Sequence, residues 1–261
     1  MKSITLLTLL TSLSISAFAA DSSTSKSYIQ LSEQKKLEQD KTWLRLMYAN
    51  EKGKSEVEYS GYFLSNQGKS DLKKELHSNI QALFQSAESN QSVRCRFPAR
   101  SQWIMQQLEI QESQLPAVEC PAYDQWMGQI KPYKATLIYA TDFMGNPSSM
   151  FGHTLLRLDP KDQKQLNLVS YAINYAATVN GGDNWSYAWK GLTGQYPGEY
   201  SLMPYYRKVK EYGDFESRDL WEYELNLNEQ ETLFLVQHIW EMQKVSFPYY
   251  FVIVNYAYRL L

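Results

Sequence analysis

Apolar residues change their rhythm near position 130 of this 261-residue chain. Before that point they recur at helical spacing. Leu37, Leu44 and the Met47/Tyr48 pair predict a helix over 32–48, after a polar, Ser-rich leader over 21–26. Val57 and Tyr59 alternate with polar neighbours and predict an extended piece over 56–64. Ser70 reads as the N-cap of a helix carrying Leu72, Leu76, Ile80 and Leu83/Phe84. Pro98 stands in the first turn of a helix over 97–110 that turns Trp103, Ile104 and Leu108 inward.

Beyond 130 the runs become short and β-rich. Strands are predicted over 135–140, 151–158, 166–175, 199–209, 220–227 and 247–254. In the second of these, Phe151, His153, Leu155 and Arg157 share one face. Turn residues fill 142–149 and 180–183, and an aromatic helix is expected over 185–192. Asn228 with Glu231 three residues on forms a capping box for a helix to about Lys244. A last helix would open at Asn255, but the sequence stops six residues later. The expectation is an α+β fold, with a mainly helical region (20–130) packed on a mainly antiparallel sheet (131–261). A helix cut so short predicts truncation at the C-terminal end; a short, well-packed tail is the alternative.

The first nineteen residues read differently. Lys2 is followed by an apolar run over 4–13 and then Ala17-Phe18-Ala19, the pattern of a cleavable secretory signal peptide over 1–19. The run is shorter than the ~20 residues of a spanning helix. Basic and acidic residues nearly balance at 26 against 28, which argues against nucleic acid as a partner. The 20 Tyr and 7 Trp suit wet interfaces, carbohydrate platforms and membrane surfaces, and also plain cores. There are two cysteines, Cys95 and Cys120. An oxidising compartment favours a disulfide over free thiols or a nucleophile. Such a loop closure contributes roughly 3 kcal/mol in the chain-entropy model.

Candidate chemistry is sparse. No metal-ligand spacing, nucleophile elbow or phosphate- or dinucleotide-binding loop occurs, so neither metal nor cofactor is expected. His77 and His238 fall on predicted helices. His153 falls on a strand just after a turn, beside Gly152, which lets another group approach closely. A lone strand histidine is more often structural than catalytic.

The run 146–157, Asn-Pro-Ser-Ser-Met-Phe-Gly-His-Thr-Leu-Leu-Arg, resembles the signature of the Lnb N-terminal periplasmic domain family, whose activity is lipoprotein N-acyl transfer. Further runs carry the likeness: Cys-Arg-Phe-Pro-Ala-Arg (95–100), Tyr-Ala-Ile-Asn-Tyr-Ala (171–176), Gly-Gln-Tyr-Pro-Gly (194–198), Tyr-Tyr-Arg-Lys-Val (205–209) and Glu-Ser-Arg-Asp-Leu-Trp-Glu-Tyr (216–223). The resemblance implies a permuted papain-like (NlpC/LRAT-like) topology in the periplasm, where the histidine strand precedes the nucleophilic Cys. It implies His153 as general base, and topology suggests Asn174 as its orienter. It implies a phospholipid as acyl donor, a lipoprotein N-terminus as acceptor, and a membrane surface as a neighbour. Arg157, Asn146 and Ser148 are candidate substrate contacts, with a solvated or paired Arg157 as the plainer reading.

One position departs from the family. Its Cys is expected in an Asn-Cys-Ser-Tyr-type motif; here Asn255 aligns as a catalytic-site residue, and the nucleophile position after it is Tyr256. A phenol, with a pKa of about 10 and far greater bulk, does not replace a thiol. The departure sets this chain's activity against that of its family. A cell-wall peptide hydrolase and a non-catalytic periplasmic binding module are the rival readings.

Overall fold

The computed structural model describes residues 13–143, 152–161, 170–177, 189–190, 193, 195–215 and 217–249. Six helices lead the chain: α1 (Leu13–Gln34), α2 (Lys41–Leu46), α3 (Leu72–Leu83), α4 (Val93–Arg96), α5 (Pro98–Leu108) and α6 (Pro121–Ile130). The strands β1 (Pro132–Ala140), β2 (His153–Pro160), β3 (Tyr171–Ala177), β4 (Tyr196–Pro204), β5 (Leu220–Glu224) and β6 (Ser246–Tyr249) follow. Between β4 and β5 lie a short helix α7 (Tyr205–Val209) and a π-helical turn (Lys210–Phe215); α8 (Glu229–Glu241) precedes β6. The strands form one sheet in the order β5-β1-β2-β3-β4-β6, every neighbouring pair antiparallel. The α+β class expected from the sequence is the class observed. Among the described residues no helix is long and apolar enough to cross a membrane.

Several elements differ from expectation, each for a local reason. The helix expected over 32–48 breaks: Lys36 adopts φ 54°, and the Asp40 side chain caps α2 by accepting from the Thr42 amide at 2.7 Å. The polar stretch 21–26 lies inside α1, and so does 17–19, where the sequence predicts a cleavage site. Weak helix formers are carried there by docking further along, where Tyr28 stacks on Phe84. Asp71, not Ser70, caps α3, through the Lys74 amide. No strand forms over 56–64; a 3₁₀ turn at Ser60–Tyr62 delivers Tyr62 to the core. The strand expected over 199–209 ends at Pro204, which has no N–H to continue a ladder, and α7 starts there. The Asn228–Glu231 capping box forms as expected, closing both hydrogen bonds at the start of α8.

The sheet has two unlike faces. One buries Leu156, Leu158, Ile173 and Tyr175 in the main core, together with Val236 of α8 and the residues of α3 and α5. The other buries a smaller set, Ile138, Ala140, Leu155 and Ala172, under Tyr205 and Tyr212. Cys95 and Cys120 are bonded, tying α4 to the start of α6.

At the centre of the main core Arg100 is fully buried on α5. Its Nε donates to Glu241 Oε2 at 3.2 Å and its Nη1 to the Tyr62 carbonyl at 2.8 Å. Glu75 stands 3.6 Å from Nη1, and the guanidinium carbon lies 3.8 Å from the Tyr62 ring centroid and 4.1 Å from that of Phe97. Removing the cation leaves two buried carboxylates facing one another. Arg100→Ala is therefore expected to cost about 3–5 kcal/mol. Denaturant unfolding of the two proteins measures this, and a loss below about 1 kcal/mol, the scale of an exposed pair, would contradict it.

Candidate functional site

His153 opens β2 and pairs with Ala140 of β1. The residue before it, Gly152, has φ +79°, and a Cβ there would come within 2.5 Å of the Tyr139 hydroxyl. That conformation and that contact both require glycine. Arg157 pairs with Ala172 across β2 and β3, so the period of two places His153, Leu155, Ala172 and Asn174 on one face. This is the face of the smaller core.

There His153 Nε2 lies 2.6 Å from Asn174 Oδ1. An amide oxygen accepts, so Nε2–H donates and Nδ1 carries the lone pair of the neutral ring. Asn174 is itself set by β4: it pairs with Ser201, whose hydroxyl donates to the Asn174 carbonyl at 3.3 Å. Burial holds the His153 pKa below its ordinary value. The Asn174 hydrogen bond works against this, Lys208 and Arg218 add to it, and Glu211 opposes them. A neutral imidazole oriented by an amide can accept a proton.

Of the residues the sequence singled out, the structure brings together His153 and Asn174. Arg157 shares their face but is already engaged. Its Nε donates to Asp159 at 2.8 Å and its Nη1 to Glu222 at 2.6 Å. Thr136 and Ser170 donate to the same Asp159, and Arg157 lies over the Tyr205 ring at 5.1 Å. It is a paired, buried cation joining β2 to the edge strand β5. Asn146, Ser148, Asn255 and Tyr256 lie outside the described residues, as do most of 185–192 and all of 250–254. The chain's two cysteines are spent on one another, so neither offers a thiol to His153. Among the described residues no cluster of His, Cys, Asp and Glu could hold a metal. His238 sits between Glu241 and the Tyr48 hydroxyl, at 3.3 and 3.2 Å.

Sequence reasoning missed the wall beside His153. Tyr212, on the π-helical turn, meets the imidazole edge-on at 6.2 Å, with Lys208 and Arg218 against its ring. Lys208 and Arg218 do fall within runs that carry the family likeness. The strand expected over 199–209 took in Lys208, which hid its place.

A family model described as the Lnb N-terminal periplasmic domain matches residues 122–261, more than half of the chain. A second, described as a domain of unknown function (DUF7843), matches residues 35–107. No curated protein and no solved structure matches it. The first match contains the whole sheet with His153 and Asn174, and the second contains α2 to most of α5 with Arg100.

The depressed His153 pKa has a consequence for stability. Above the unfolded value of about 6.5 both states are neutral and it contributes nothing. As pH falls through that value, the unfolded chain takes up the proton first, and stability is lost until the folded site protonates too. His77, also depressed by burial, acts in the same direction. His153→Gln is thus expected to flatten part of the stability loss below pH ~6.5, measured as unfolding free energy against pH. An unchanged profile would show that His153 is not held neutral.

Proposed function

This chain belongs to the Lnb N-terminal periplasmic domain family, and on that premise we propose that it carries the base-and-orienter half of a thiol-dependent lipoprotein N-acyltransferase site. The family's periplasmic placement agrees with the export signal read at residues 1–19. The observation that carries the reading is the 2.6 Å contact between His153 Nε2 and Asn174 Oδ1. With Nε2–H donating, the acceptor lone pair of the neutral ring is on Nδ1, on a strand that a permuted papain-like order would put ahead of the nucleophile.

With a thiol in place the steps balance as follows. His153 Nδ1 takes the thiol proton. The thiolate attacks the ester carbonyl of a phospholipid acyl chain, and the lysophospholipid alkoxide leaves with the proton from His153. The free α-amino group of a diacylglyceryl-cysteine then attacks the thioester. An amide forms, the thiolate is released, and the amine's proton passes to the imidazole. An exported domain would stand beside both substrates.

The same chemistry does not start from Tyr256. An imidazole with an ordinary pKa of about 6.5 holds the proton of a phenol near 10 only about once in several thousand encounters. With both cysteines in a disulfide, this chain supplies the base without the nucleophile, and the proposal is that it does not turn over as it stands.

Tyr256→Cys tests both halves. Incubated with an acyl-labelled phospholipid, the parent should remain unlabelled, Y256C should take up a hydroxylamine-sensitive label, and Y256C/His153→Ala should lose it by at least the ~100-fold that general-base removal costs. Labelling of the parent would overturn the missing-nucleophile reading. Peptide cleavage by Y256C without labelling would point to a cell-wall hydrolase instead. A folded Y256C that does neither would leave a binding module.

A further inference from the structure

We propose that Tyr212 is a positioning residue for His153, and that Lys208 and Arg218 are the two cations that hold its ring in place. The proposal rests on the general-base reading of His153 for its meaning, but the geometry it predicts can be read without any activity.

The Asn174 contact fixes one atom of the imidazole. That hydrogen bond sets the Nε2 end of the ring, and the ring's face and edges are set by what packs against them. Tyr212 is one such neighbour. It is buried, and its ring meets the imidazole at 6.2 Å with an interplanar angle of 63°. The π-helical turn that carries it, Lys210–Phe215, follows α7 without a break. An i→i+5 turn shifts the following side chains around the helix axis, a distortion that recurs at functional sites.

Two cations then lock the tyrosine. Lys208 Nζ lies 5.0 Å from its ring centroid and Arg218 Cζ 4.6 Å. Both distances are within the range of attraction between a cation and a ring. Each cation is itself tethered. Lys208 is paired with Glu211 at 2.8 Å. Arg218 donates through Nε to the Thr141 carbonyl at 2.6 Å and through Nη2 to the Ala140 carbonyl at 3.1 Å. Ala140 is the residue that faces His153 across β1 and β2. Arg218 and the imidazole are thus both referenced to one backbone position, and Tyr212 is held between them.

Among the described residues, the charged groups that act most on His153 are Lys208 and Glu211 from α7 and the π turn, and Arg218 from the segment before β5. Two positive charges against one negative favour the neutral ring, which is the form a general base needs at rest.

The test reads the imidazole directly by long-range ¹H–¹⁵N correlation in the chain as it exists. The parent should show one neutral tautomer of His153, protonated at Nε2. Tyr212→Leu should give a mixed tautomer signature and a titration midpoint moved upward. Tyr212→Phe, which keeps the ring and drops the hydroxyl, should match the parent in both. Lys208→Met should also raise the midpoint. If Y212L keeps the parent tautomer and midpoint, or if Y212F behaves like Y212L, the proposal is overturned. If Y212L does not fold, K208M and Y212F decide it: an unmoved midpoint in K208M overturns it. These signatures with no acyl labelling of Y256C would sink the acyltransferase reading and keep the positioning role. Labelling without these signatures would do the reverse.

Discussion

The guanidinium of Arg100 sits out of solvent between Glu75 of α3 and Glu241 at the end of α8. One positive charge faces two negative ones, and the difference is met by dipoles. Glu75 accepts from the amides of Leu64 and Ser65 and from Asn79, while Glu241 accepts from the Arg100 amide. A buried ion pair of this kind adds little net stability over an apolar substitute, but it is intolerant of misalignment. Its members come from α3, α5 and α8, and the chain turn at Tyr62 supplies a carbonyl and a ring. Because α8 also packs on β1, the network fixes where the helical layer sits against the sheet. The Cys95–Cys120 bond and the Trp240 indole, which donates to the Cys95 carbonyl at 2.8 Å, hold the same junction.

That junction lies on one face of the sheet, and the site lies on the other. The division of labour follows from the period of two. Leu156 and Leu158 turn toward the large core, and Leu155, Arg157 and His153 turn away from it. The second face has a thinner cover, built from α7 and the π turn. Polar groups there must be satisfied in pairs: Arg157 with Asp159 and Glu222, His153 with Asn174, Arg218 with two carbonyls. The first set anchors the edge strand β5 to β2. The second orients one imidazole.

Elements with strong periodicity were legible. Helices α3 and α5 and the cores of β1, β2 and β3 fall where apolar spacing put them, and α8 begins at the capping box the sequence displayed. Elements set by one competing residue were not. Lys36 in the left-handed region and Asp40 as a cap split a helix that periodicity ran through. Pro204 ended a strand expected to run to 209. In both places a local backbone requirement outranked the pattern of side chains.

The sequence by itself determined that His153 and Arg157 share a strand face, that a glycine precedes the histidine, that two cysteines are available to pair, and that tyrosine stands at position 256. Those are properties of single residues and of a fixed period along one strand. Only the tertiary structure decided that Asn174 meets His153, that Arg157 is consumed by Asp159 and Glu222, and that Tyr212 closes the wall. Apart from the Arg157–Asp159 contact within β2, each of these joins segments twenty or more residues apart, and no periodicity within one segment encodes the register between two. The pairing of β2 with β3 and the turn after α7 set those distances.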